Sequence, residues 1–104
     1  MSGYQLSRLA RLDLIEIADY TMDMWGVDQA ERYLNGLDAC FKRLVKTPKM
    51  GRACDQIRVG YRRTEQGKHV VIYRASAEGI FISRILYQGM LPERQLFEES
   101  LASS

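Results

Sequence analysis

No stretch of this 104-residue chain approaches the roughly 20 consecutive apolar residues that a bilayer-crossing helix needs. The opening M-S-G-Y-Q-L-S-R has no apolar run of the kind that forms a secretion signal, so a cytoplasmic location is expected. Cysteine is limited to Cys40 and Cys54, and neither has a second cysteine or a histidine at metal-ligand spacing. No metal or cofactor is therefore expected, and the thiols should be free in a reducing compartment. Histidine occurs once, at His69, so any Ser-His-Asp or Cys-His arrangement would have to use it. No motif surrounds it, and an exposed strand histidine is the simpler reading. Gly51, Gly60, Gly67, Gly79 and Gly89 are isolated and make no phosphate-cradling loop. Beyond Arg52 the only lysine is Lys68. Repeats, low-complexity tracts and linkers are missing too, and residues 1–104 read as a single domain, since two cores would leave each half too small to offset chain entropy.

What is present is an ordinary globular composition, 46% hydrophobic and 27% charged, with a net charge of +2. The charge is unevenly spread. Residues 1–46 hold six Lys/Arg against seven Asp/Glu, residues 47–91 hold eight against three, and residues 92–104 hold one against three. The positive surface thus belongs to the second half, and suits an acidic protein or a nucleic acid.

Tyr4, Gln5 and Leu6 form a short alternating piece suited to an edge strand, and Ser7 is placed to cap a helix. From Arg8 to Trp25 there is neither proline nor glycine, and Ala10, Leu14, Ile17, Thr21 and Trp25 recur at helical steps. Leu12, Ile15 and Met22 widen the apolar surface, so this helix should touch more than one neighbour. Gly26 ends it and Asp28 is expected to cap a second helix from Gln29 to Lys46, with Ala30, Tyr33, Leu34, Leu37, Phe41 and Leu44 inward. The short connection makes an antiparallel helical hairpin, and Gly36 would let the helices approach closely. Pro48 stops the helical half. Lys49 to Gln56 reads as a loop, Ile57 to Arg62 alternates as a strand, and Val70–Tyr73 and Ile80–Leu86 form a β-hairpin through Ala75 to Gly79. A short terminal helix from Glu93, with Leu96, Phe97 and Leu101, completes the chain. The class is α+β, a helical hairpin packed on a small, twisted, mainly antiparallel sheet.

Strand alternation assigns Val70, Ile72, Ile80, Ile82 and Leu86 to one face of the sheet and Val71, Tyr73, Phe81 and Ile85 to the other. One helical hairpin covers one face only. The second is either an uncovered patch awaiting a partner or a small second core of Tyr73, Phe81 and the terminal helix. Arg58, Arg62, Arg63, Arg74 and Arg84, with Tyr61, Tyr73 and Tyr87, are the candidates for binding chemistry, because arginine clamps carboxylate or phosphate. Arg74 and Arg84 can equally pair with acids of the first helix.

These residues carry a resemblance. Tyr4 to Ser7, Ala10, Asp13-Leu14, Ile17, Tyr20-Thr21, Trp25-Gly26, Ala30, Tyr33, Leu37, Phe41, Leu44, Pro48 and Gly51-Arg52, followed by Ile57-Arg58, Gly60-Tyr61-Arg62, Gly67, His69, Ile72 to Arg74, Gly79-Ile80, Arg84 to Leu86 and Met90, resemble the ParE toxins of the RelE/ParE superfamily. The resemblance implies a non-enzymatic toxin that poisons DNA gyrase and blocks replication, held inactive by a ParD-like antitoxin in a hetero-oligomer, with no membrane partner and no nucleic-acid binding on its own. It implies antitoxin contacts at Leu12, Ile15, Arg58, Arg62, Tyr73, Arg74 and Phe81, and target contacts at Arg84, Tyr87 and Met90. RelE relatives instead cut messenger RNA with several lysines and arginines around an acid or base, and the lysine depletion here opposes that chemistry. Tyr87, standing where many ParE members have histidine, keeps the ribonuclease alternative open. A non-toxic binding module is the third reading.

Overall fold

Ser7 ties the helical half to the sheet. Its hydroxyl oxygen accepts from the Ala10 amide at 2.9 Å, capping the first helix, and its O–H donates to the Ser83 carbonyl at 2.6 Å. The computed structural model describes residues 3–55 and 58–90. In it α1 (Arg8–Trp25) and α2 (Val27–Lys46) are separated by Gly26 alone. Gly26 has φ +92°; its amide donates to the Met22 carbonyl, and its own carbonyl accepts from Ala30. Because the glycine closes one helix and opens the next, α2 starts at Val27, and Asp28 lies within its first turn instead of capping it. There the carboxylate still favours the helix dipole.

The strands are β1 (Tyr4–Leu6), β2 (Arg52–Ala53), β3 (Tyr61–Gln66), β4 (His69–Ser76) and β5 (Gly79–Tyr87), followed by a 3₁₀ turn, Gln88–Met90. They form one five-stranded sheet in the order β1-β5-β4-β3-β2, antiparallel except for the β1–β5 edge. The strand expected from Ile57 to Arg62 begins only at Tyr61. Arg58 to Gly60 turn instead, because Gly60 adopts φ +90° and donates its amide to the Asp55 carboxylate at 3.0 Å, leaving Val59 83% exposed. Ile57 lies outside the described residues, as does the expected helix from Glu93 with Leu96, Phe97 and Leu101. The Lys49 to Gln56 loop contains β2, a short edge paired to Arg62 and Arg63. Gly36 faces the sheet edge and not α1, since a Cβ there would meet the Gln66 side-chain nitrogen at 3.3 Å.

One irregularity decides which side chains the helices cover. Ile72 of β4 lies opposite Arg84, yet Tyr73 lies opposite Ile82, so Ser83 is an extra residue on β5. Such a bulge resets the alternation, because the strand no longer turns successive side chains to opposite faces there. Ile80, Ile82 and Ile85 consequently share the helix-facing core with Val71, Tyr73, Ala10, Ile17, Leu37, Cys40, Phe41 and Leu44. The division of Ile80 and Ile82 from Ile85 that strict alternation gives is overturned. The opposite face carries Cys54, Tyr61, Val70 and Ile72, with Leu86 against them. Val70 and Ile72 are 0% exposed, so this face is a second small core and not an open apolar patch. Tyr73 does not belong to it.

Candidate protein-interaction site

The sequence makes both helices amphipathic, but α1 carries more apolar surface than the sheet can cover. Between α1 and α2 this leaves an apolar trench of about 300 Å³. Leu14, Ile15 and Ala18 form its α1 wall, and Leu34, Leu37 and Phe41 its α2 wall. Tyr4 and Asp38 complete the lining. The Tyr4 ring meets Phe41 edge-on at 5.0 Å and its phenol donates to the Asp38 carboxylate. Burial of the phenol, reinforced by Asp38, pushes Tyr4 up to about 12. The same hydrogen bond and Lys42, 3.0 Å away, hold the Asp38 carboxyl below its ordinary value. The phenol therefore stays a donor and the carboxylate stays charged throughout the neutral range. The trench thus has apolar walls and one anionic corner.

Of the antitoxin contacts implied by the resemblance, Ile15 lines this trench and Leu12 lies exposed on the same helix. The others are dispersed. Arg74 packs its guanidinium over the Phe81 ring at 4.7 Å. Arg62 donates to the Gly51 carbonyl at 2.7 Å, holding the loop before β2. Arg58 is exposed after the Cys54 turn. Tyr73 is fully buried; its hydroxyl donates to the Pro48 carbonyl at 2.8 Å and accepts from the Gly51 amide at 2.9 Å. With both hydrogen-bonding directions used and no surface exposed, Tyr73 anchors a loop and offers nothing to a partner.

The target contacts divide similarly. Arg84 is clamped by Asp13, its Nε at 2.8 Å and a terminal nitrogen at 2.9 Å from the two carboxylate oxygens, and Asp13 also accepts the Ile85 amide at 2.9 Å. The pairing of Arg84 with a first-helix acid is thus what the fold adopts, whereas Arg74 has Phe81 instead. β1 ends opposite Ile82, and beyond that point the Asp13 carboxylate satisfies the bare edge of β5. Tyr87 is 47% exposed and its ring lies 5.8 Å from that of His69. Met90 closes the 3₁₀ turn.

His69 is not the exposed strand residue expected. It is half-buried, and its Nδ1 lies 2.6 Å from the Tyr33 hydroxyl, which also accepts from the Lys68 amide and lies 3.1 Å from the Gln66 carbonyl. Burial lowers the imidazole pKa against a weaker upward pull from Asp13. Cys40 and Cys54 are buried free thiols whose pKa burial raises. Among the described residues no three His, Cys, Asp or Glu side chains group as a metal site, and no helix is long and apolar enough to cross a membrane. Tyr4, Leu34 and Asp38 were not anticipated as a site. Tyr4 and Asp38 are 34 positions apart and carry no local signal of meeting.

Comparison with known proteins agrees with this architecture. The profile of the family described as ParE toxin of type II toxin-antitoxin system, parDE, matches residues 4–92. Toxin ParE1 of Mycobacterium tuberculosis (strain H37Rv) is 48% identical over 96 residues, covering 91% of this chain and 98% of the relative. Toxin ParE1 of Caulobacter vibrioides is 41% identical over 90 residues, covering 86% and 93%. A chain of the chromosomal ParDE system from P. aeruginosa superposes with a TM-score of 0.69 over 84% of this chain and 96% of its own, and at 22% identity it supports the fold alone. A helical hairpin on a five-stranded mixed sheet, matched along nearly its whole length, places this chain in the ParE toxin family of type II toxin-antitoxin systems.

Proposed function

We propose that this toxin acts by protein contact, poisoning DNA gyrase, and that a ParD-like antitoxin restrains it by laying an amphipathic arm in the trench between α1 and α2. The observation that carries the antitoxin reading is the trench itself, apolar on both walls and closed by the Tyr4–Asp38 pair. An arm that folds on docking gains apolar burial there while covering Ile15. Non-catalytic action is supported by how the polar groups are spent. Arg84 is held by Asp13 and His69 by Tyr33, so neither is presented as a free cation or base. The gyrase assignment rests on membership of the ParE family and on what the ParE resemblance implies.

The antitoxin reading is tested by titrating the protein encoded in the adjacent reading frame against wild type and Ile15→Asp. A loss of affinity of about tenfold or more is expected from a charge placed on a trench wall, and equal affinity would reject this docking place. For the target, purified toxin incubated with gyrase and supercoiled plasmid should leave cleaved DNA. Unimpaired supercoiling without cleaved product rejects gyrase poisoning, and toxin-dependent cutting of ribosome-bound messenger RNA would replace it with the ribonuclease reading. Induction without antitoxin should arrest growth; normal growth would favour a harmless binding module.

A further inference from the structure

The apolar stripe of α1 runs from Ala10 through Ile17 and Thr21, all buried, to Trp25, whose side chain the fold leaves 68% exposed. Helical spacing predicts an inward indole there, and the turn explains the difference. Gly26 alone separates α1 from α2, so the helical hairpin doubles back at once, and residues 22–29 are exposed without a break. Tyr20, Met22, Met24 and Val27 are exposed beside Trp25. Half of the ten large apolar side chains exposed on the described residues thus lie within residues 20–27, a concentration that scattered surface residues do not show. The tip is also stiff. The Gly26 amide donates to the Met22 carbonyl at 3.0 Å and its carbonyl accepts from the Ala30 amide at 3.1 Å, so the turn beside Trp25 is bonded to both helices. A side chain displayed on such a turn loses little backbone freedom on docking. Around it the charge is of one sign. Residues 19–32 hold Asp19, Asp23, Asp28 and Glu31 against Arg32 alone, a net of −3 in a chain of net +2. Among the described residues none of these four acids makes a salt bridge.

We infer that the tip of the helical hairpin is the surface through which this toxin grips its target, with Trp25 entering an apolar recess in a basic protein surface. A few large aromatic side chains ringed by polar groups dominate the energetics of protein interfaces, and tryptophan is prominent among them. The acids commit the partner's charge. They are repelled by phosphate, which removes nucleic acid as the occupant, and attracted by lysine and arginine, which steer the encounter. The inference rests on action by protein contact and names the surface used; it does not need the target to be gyrase. No side chain of residues 20–27 lines the trench, and Trp25 lies about 10 Å along the helix past Ala18, where the α1 wall of the trench ends. Trench and tip can therefore be altered one at a time.

The test compares growth arrest by wild type and Trp25→Ala, each induced without antitoxin. The variant should need about tenfold more protein or above for equal arrest, with Trp25→Phe recovering part of the loss. Its melting temperature should not fall, and its affinity for the protein encoded in the adjacent reading frame should stay within about twofold of wild type, since the trench is untouched. Asp19→Lys with Asp23→Lys, at the end of α1 where the helix dipole favours cations, should lose potency likewise without losing stability. If wild type arrests growth but leaves no cleaved DNA with purified gyrase, the gyrase assignment fails while the growth comparison still decides the tip. Trp25→Ala as potent as wild type overturns the inference and leaves the gyrase and antitoxin readings standing. Unchanged potency with lost antitoxin affinity overturns it too, and assigns the tip to the antitoxin. Should Trp25→Ala melt lower than wild type, the charge swap decides alone, full potency overturning the inference and a tenfold loss supporting it. A wild type that arrests no growth has no target to grip and overturns it as well.

Discussion

Asp13 bears more of this fold than its place in the sequence announces. As one of several acids along a helix it resembles a solvated residue, but it is 8% exposed and accepts from two Arg84 nitrogens and the Ile85 amide. Asp13→Ala should lower unfolding stability by about 3–5 kcal/mol, measured by urea denaturation, since it removes the carboxylate to which the largely buried Arg84 guanidinium and the Ile85 amide both donate. His69 makes a different prediction. Its folded pKa lies below the ordinary 6.5 because burial disfavours the imidazolium, so the unfolded chain binds the extra proton first. The stability linked to this residue is complete above about pH 6.5 and is lost as pH falls through the lower folded value. Wild type should lose more stability than His69→Gln between pH 7.5 and 5.5 in paired urea titrations; equal losses would remove the imidazole as the cause. At this scale the sequence was partly legible. Ser7 capped as its hydroxyl and position implied, whereas the partners of Asp13, His69 and Tyr73 are set by distant strands and leave no local trace.

At the scale of elements, periodicity located what periodicity governs. Both helices and the β4–β5 hairpin fall where their apolar spacing put them, because each buries one continuous stripe or alternating face. Two features escaped that logic. Gly60 broke the alternation before β3 through a positive φ stabilised by Asp55, and the Ser83 bulge moved Ile80 and Ile82 to the helix side. Neither is visible in hydrophobicity alone, since a bulge is fixed by pairing between strands. The β1 edge depends on another backbone constraint. Gly79 has φ +133°, and a Cβ there would stand 2.2 Å from the Gly3 carbonyl oxygen. Gly79→Ala should therefore loosen β1 from β5, at a cost of about 1–3 kcal/mol, and amide exchange of Ser7, whose N–H donates to the Ile82 carbonyl, should accelerate more than that of β4. Tyr4 would loosen with the strand, so the trench should lose its closed corner as well.

For the whole molecule, the family was legible because weak positions kept their spacing along most of the chain, while the trench was not, since its lining is assembled from β1, α1 and α2 together. Of the two readings of the second sheet face, a patch awaiting a partner or a small second core, the structure adopts the core, and exposed apolar side chains lie instead along α1. This gives a prediction about assembly. Antitoxin that binds only folded toxin should stabilise it by about 2.7 kcal/mol when free antitoxin is a hundredfold above the dissociation constant. For a chain of this size the melting temperature should then rise by roughly ten to twenty degrees in a calorimetric scan. A smaller rise would indicate that the antitoxin also binds unfolded chain.

The parallel edge between β1 and β5 has a consequence for how the protein is made. Translation delivers β1, α1 and α2 long before Gly79–Tyr87, the strand on which Ser7, Asp13 and the inner helix face all depend. Until β5 has left the ribosome, the nascent helical hairpin has no sheet to close over it, and the clamp on Arg84 does not exist. A chain whose first and last strands must meet acquires its finished surface late, and an antitoxin already in the cell can be waiting when it does.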